Sequence, residues 1–126
     1  MSGLLLDTHA LIWWSARSPR LSAAAHAAII ANAGAVWVSA ASIYEADYKA
    51  RIGRMPPLPV PMIEIVRAEG FLSLPIADLD AAQAAAFVST HADPFDRLIA
   101  AQALMHDMLV ATKDDAIAAM GARVIW

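Results

Sequence analysis

Short apolar runs alternate along the chain with longer stretches in which apolar positions recur at helical spacing. Leu4, Leu5 and Leu6 read as a buried strand, and a short helix follows at residues 9–14. Ser22 stands where a cap is needed for a second helix over 23–33. Residues 35–39 carry the β-formers Val36, Trp37 and Val38 and predict a second strand. A third helix covers 40–52 and stops at Gly53, and the proline-rich run 55–61 is a stiff connector. Helix four covers 62–69, strand three 71–76 and helix five 80–88. Pro94 suits the first turn of a sixth helix reaching His106. Residues 108–111 predict strand four, 115–120 a short helix, and 123–126 a last strand.

This βαβα order predicts an α/β fold, one domain over residues 1–126, with a mainly parallel sheet and helices on both faces. Ligands in such folds bind at the carboxyl ends of the strands, near the switch in strand order. The residues that directly follow each strand are therefore the ones to inspect for chemistry.

Composition narrows the chemistry. Of 126 residues 60% are hydrophobic and 17% charged, which supplies ample apolar surface for one core and argues against disorder. Cysteine is absent, so thiolate zinc sites, disulfides and cysteine nucleophiles are excluded and a cytoplasmic setting fits. The net charge of -3 speaks against coating nucleic acid by bulk positive charge. Mean hydropathy is +0.52. The longest stretch free of acidic, basic and histidine residues, 27–44, is broken by the turn Asn32-Ala33-Gly34, so no membrane span or signal peptide is expected. The surplus apolar surface points instead to an oligomer or partner interface.

Four acidic residues fall where the sheet edge would gather them. Asp7 follows the first strand and either caps the next helix or serves as a ligand. Glu45 lies after the second strand; Ser42-Ile43-Tyr44-Glu45 fits a capping box, but a helix starting near Ser39 would leave Glu45 two turns in and unexplained by capping. In Asp93-Pro94-Phe95-Asp96, Asp93 suits the cap and Asp96, already spared that task, suits function. Asp114 follows strand four, and it or Asp115 would cap the next helix. Clustered carboxylates raise one another's pKa, and a divalent cation relieves the repulsion. Oxygen ligands without cysteine or paired histidine suit Mg²⁺, or Mn²⁺, and the chemistry that follows is phosphodiester hydrolysis.

The strings Leu5-Leu6-Asp7-Thr8-His9, Val38-Ser39-Ala40-Ala41-Ser42-Ile43-Tyr44-Glu45, His91-Ala92-Asp93-Pro94-Phe95-Asp96-Arg97 and Thr112-Lys113-Asp114 resemble the PIN-domain family, and more narrowly its VapC-type toxins. The likeness spans almost the whole chain, four motifs in order at similar spacing. It implies a PIN-like three-layer α/β/α sandwich and a Mg²⁺- or Mn²⁺-dependent endoribonuclease that acts on RNA. It also implies a cognate antitoxin partner and often a homodimer. Asp7, Glu45, Asp96 and Asp114 fall on the family's acidic positions; Asp93 is auxiliary, and Thr112 matches a position that supports the site through its hydroxyl. One departure is Asp47, where an apolar residue is expected; it either adds a carboxylate near the site or, as Lys49 and Arg51 nearby favour, faces solvent.

His9, Lys49 and Arg97 are candidate substrate contacts, although a lone His in an apolar segment is more often hydrogen-bonded structure; Arg17, Arg20, Arg51 and Arg54 could help to steer RNA, but Arg51 and Arg54 read first as a solvated helix face. His26, His91 and His106 show no ligand spacing. The four tryptophans read as core or interface packing rather than base-stacking platforms. Competing classes fit less well. A structure-specific DNA nuclease of this architecture would carry insertions for which the chain has no room. A receiver domain needs a phosphorylatable Asp after strand three, where Leu74-Pro75-Ile76 stands. A haloacid-dehalogenase-type site needs a second Asp where His9 stands. A non-catalytic binding module would not need the intact acidic set.

Overall fold

The first strand, β1 (Leu4–Leu6), is wholly buried, and its side chains divide between two cores. Successive strand residues point to opposite faces, so Leu4 and Leu6 enter one core and Leu5 the other. This computed structural model describes residues 2–126. After β1 come α1 (Thr8–Ser15), α2 (Ala23–Ala31), β2 (Val36–Ser39), α3 (Ala40–Arg51) and α4 (Met62–Ala68). Then follow β3 (Leu72–Leu74), α5 (Asp78–Ala86), α6 (Pro94–His106), β4 (Leu109–Ala111), α7 (Asp115–Ala119) and β5 (Val124–Ile125).

The strands form one parallel sheet in the order β3-β2-β1-β4-β5. β1 is central, and the chain moves outward from it first towards β3 and later towards β5. On one face Leu4, Leu6, Val36 and Val38 pack against Leu11 of α1, Ile29 of α2, Ala46 of α3 and Val66 of α4. On the other, Leu5 and Val110 pack against Ile99 and Ala103 of α6 and Ile117 of α7. The expected three-layer α/β/α sandwich with a parallel sheet is thus the observed one.

Most boundaries expected from the pattern hold within two residues. β3 is shorter than residues 71–76, because Pro75 has no N–H for the ladder. α5 begins at Asp78, where the Asp80 carboxylate accepts the Ala77 N–H at 2.9 Å. Asp47 does more than face solvent: it is half-buried, and its Oδ1 accepts the Met62 N–H at 2.9 Å. Pro61, at the cap position of α4, has no side chain able to do this, so a residue fourteen positions earlier supplies the acceptor.

The start of β1 depends on Gly3. Its φ is +136°, and an added Cβ would lie 2.5 Å from the Ala35 carbonyl oxygen. That carbonyl accepts from Leu4, and the Gly3 carbonyl accepts from Leu109, so the backbone here is tied to both neighbouring segments. Gly3→Ala is therefore expected to lower unfolding free energy by roughly 2–4 kcal/mol, read by chemical denaturation. Wild-type stability in that variant would show that β1 can begin in another conformation.

Candidate active site

Asp7 leaves the carboxyl end of the central strand and caps α1, its Oδ1 accepting the Ala10 N–H at 2.7 Å. It is only 6% exposed. Its other oxygen accepts from the Thr112 hydroxyl at 2.5 Å. Burial pushes the Asp7 carboxyl above the ordinary carboxylate range; the Thr112 and Ala10 bonds oppose this, and the nearby Asp114 charge adds to it. The cap and the ligand readings of Asp7 are compatible, since each carboxylate oxygen can accept more than one partner. Thr112 in turn accepts the Asp114 N–H at 3.0 Å, which joins the ends of β1 and β4 through one hydroxyl.

Asp93 caps α6, its Oδ1 accepting from Phe95 and Asp96 N–H at 2.8 and 3.2 Å. Asp96 is freed from that task and turns towards the preceding loop, where its Oδ2 meets His91 Nε2 at 2.8 Å. Asp114 caps α7 through Oδ1. Donor atoms of His91, Asp96 and Asp114 all lie within 4.8 Å of one another. Burial pushes Asp96 up to about 7, with the His91 bond opposing and Asp93 and Asp114 reinforcing. The hydrogen bond that His91 donates to Asp96 pulls the His91 pKa above its ordinary value. Both shifts favour holding a proton within this group.

Glu45 and Asp7 are not in that close triad. α3 is capped by Ser39, not Ser42, so the capping-box reading of Glu45 does not apply. Ser42 instead accepts the Thr8 hydroxyl at 3.0 Å, joining α3 to α1. Glu45 is 4% exposed and is neutralised by Lys49 one turn on, whose ammonium also lies over the Phe95 ring of α6. Lys49, expected as a substrate contact, is thus engaged within the protein.

Arg97 was expected to meet substrate as well. Its guanidinium is turned inward onto the carbonyls of Ala84, Phe87, Ser89 and His91 at 2.8–3.0 Å. His9 is exposed and lies against Trp13, with ring centroids 5.4 Å apart. The Lys113 ammonium sits 5.1 Å from the Trp13 ring centroid. His9, Trp13 and Lys113, with Asp7, Asp114 and Trp126, line a cleft of about 400 Å³. Sequence reading missed His91 and Lys113. The only signal for His91 was its place in the loop just before the Asp93 cap.

The PIN domain family model matches residues 4–122. The chain is 38% identical over 117 residues to Ribonuclease VapC22 of Mycobacterium tuberculosis, covering 90% of this chain and 88% of that protein. Among solved structures, the DNA-bound VapBC from Salmonella typhimurium aligns at TM-score 0.74 and 18% identity over 99% of this chain and 98% of that one. FitAcB from Neisseria gonorrhoeae aligns at TM-score 0.68 and 24% identity over 98% and 96%. At these identities the solved structures speak for the fold, while the family match and the 38% relative speak for descent. The chain belongs to the PIN-domain family and, within it, to the VapC type.

Proposed function

We propose that this protein is a divalent-metal-dependent endoribonuclease and the toxin of a toxin–antitoxin pair. The observation that carries the reading is the meeting of Asp96 with Asp114 at the carboxyl edge of the sheet, beside the buried Asp7. Three carboxylates from three segments converge there, and two of them have raised pKa values. That combination is costly unless a cation is bound. Oxygen donors at this density fit Mg²⁺ or Mn²⁺. Asp96 and Asp114 would hold the ion, with Asp7 beside them, linked to Asp114 through Thr112.

When bound, a divalent cation neutralises phosphate oxygens and makes a water acidic enough to attack near pH 7. The rest falls to the chain. Thr112 fixes the Asp7 carboxylate, so that its lone pairs point in a set direction. Asp93 holds the first turn of α6 and thereby the aim of Asp96. Lys113 and His9 border the cleft with groups that can meet the phosphate backbone. Trp13 and Trp126, 5.7 Å apart by ring centroid, are part of the same wall and offer faces to an unpaired base.

A groove of about 960 Å³ runs on from His9, Trp13 and Lys113 between α1, α4 and the proline-rich connector. Met55, Leu58, Val60 and Ile65 make it apolar. We assign it to a segment of the antitoxin, which would cover the site's entrance. Tyr44, Tyr48 and Ile52 are exposed along α3 and at its end, and offer a face for a second copy. Among the described residues no helix is long and apolar enough to cross a membrane, and a cytoplasmic location suits an RNA substrate.

Asp96→Asn is expected to reduce cleavage of single-stranded RNA by several orders of magnitude at saturating Mg²⁺ or Mn²⁺. Asp93→Asn, which can still cap, should cost less than about 1 kcal/mol and little activity. Full activity in the Asp96 variant would remove it from the site. Cleavage of DNA but not RNA by the wild type would replace the reading with a DNA nuclease.

The second prediction concerns pH. A carboxyl with a raised folded pKa keeps a proton that the unfolded chain has already lost, so native stability falls as pH climbs from 3.8 towards about 7. His91, also raised, adds stability that is present below 6.5 and is lost as pH passes its folded value, in the same direction. The metal-free melting temperature should therefore drop between pH 5 and 8, and Mg²⁺ should raise it more at pH 8 than at pH 6. Asp96→Asn should flatten both trends. A metal effect that is independent of pH would show that proton and cation do not compete.

A third prediction concerns the partner. Purification from the native operon should recover a small bound protein, and Ile65→Glu in the groove should release it without reducing RNA cleavage. Retention of the partner by this variant would move the docking surface elsewhere.

A further inference from the structure

The α5–α6 connector is folded around one side chain. Arg97 Nε donates to the Ala84 carbonyl at 3.0 Å, and its terminal nitrogens donate to Ser89 at 2.8 Å, Phe87 at 2.9 Å and His91 at 3.0 Å. Ser89 closes the same loop by accepting the His91 N–H through its hydroxyl at 3.1 Å. The backbone of His91 is thus held at both its N–H and its carbonyl. The imidazole has little freedom left beyond its own rotamer, and that rotamer places Nε2 on Asp96 and within 4.8 Å of a donor atom of Asp114. Ligands on opposite sides of an ion at 2.0–2.1 Å are about 4 Å apart, so the three donor atoms are close to the spacing that one ion requires.

We infer that His91 is a nitrogen ligand of the metal site, presented by the Arg97-pinned connector. The inference rests on the proposed metal-dependent reading of this site and adds a residue outside its acidic set. Its consequence is metal preference. Imidazole favours later first-row ions such as Co²⁺ over Mg²⁺, whereas a purely oxygen set discriminates less. Arg97 is a positioning residue in this scheme. A lysine in its place offers a point charge that cannot fork across four carbonyls.

Calorimetric titration of the full metal-free chain with Mg²⁺ and with Co²⁺ tests this. Wild type should bind both. His91→Gln should reduce the Co²⁺ to Mg²⁺ affinity ratio tenfold or more, mostly through Co²⁺. Arg97→Lys should move the ratio the same way by a smaller factor, with faster amide exchange confined to residues 87–93. In the Co²⁺-loaded wild type a contact-shifted imidazole N–H proton signal should appear, and His91→Gln should lack it. An unchanged ratio with both ions still bound would overturn the ligand assignment and leave the nuclease reading intact. A normal ratio in Arg97→Lys would overturn the positioning role. Failure of the wild type to bind either ion at millimolar concentration would sink the metal site itself.

Discussion

An ionisable group is buried at the end of the central strand, and much of the architecture follows from keeping it there. Asp7 emerges from three fully buried leucines into a position 6% exposed. A bare carboxylate in such a place would cost several kcal/mol. Each compensating bond ties a different element to β1. The Ala10 N–H brings in α1, and the Thr112 hydroxyl brings in the end of β4. Thr112 then receives the Asp114 N–H, so the start of α7 is set by the same hydroxyl. The sheet order, with β1 between β2 and β4, is what makes these short links possible.

Helix starts are the second recurring device. Asp7, Asp93 and Asp114 each cap a helix, and a cap spends only part of a carboxylate's capacity. The caps bring the amino ends of α1, α6 and α7 to one edge of the sheet, where helix dipoles favour negative charge. Asp96 lies in the first turn of α6, where burial, reinforced by Asp93 and Asp114, pushes it up to about 7. The fold therefore tolerates a concentration of acid that would be poorly tolerated elsewhere on its surface. The same edge is where a cation would act.

The two layers of helices play different parts. α1 and α4 border the apolar groove that runs on from the site, and α3 carries Glu45, neutralised by Lys49. On the other layer α5 and α6 pack closely and are joined by a buried polar contact. There Gln102 donates to Pro75 and to Asp80 at 3.0 and 3.3 Å. The connector between these helices then wraps Arg97. An arginine that sequence reading assigned to the substrate thus shapes the protein instead.

What the sequence by itself determined is what depends on near neighbours. The alternation of short β-forming runs with capped, helix-spaced stretches was enough for the parallel α/β fold. Asp93 before Pro94 was enough for the start of α6, because caps act within one turn. Four acids falling after strands or at neighbouring helix starts were enough to expect a site at the sheet's carboxyl edge. The tertiary structure alone decided the partners. Glu45 lost its capping-box role when Ser39 took the cap, and Asp47 was drawn to Met62 across fifteen positions because Pro61 offers no acceptor. His91 entered the triad, and Arg97 left the substrate face, because both depend on where the loop after α5 is folded against α6. Hydrogen bonds between residues distant in sequence, or across an irregular loop, have no period and no local propensity to announce them. Only the packed fold could bring those groups together.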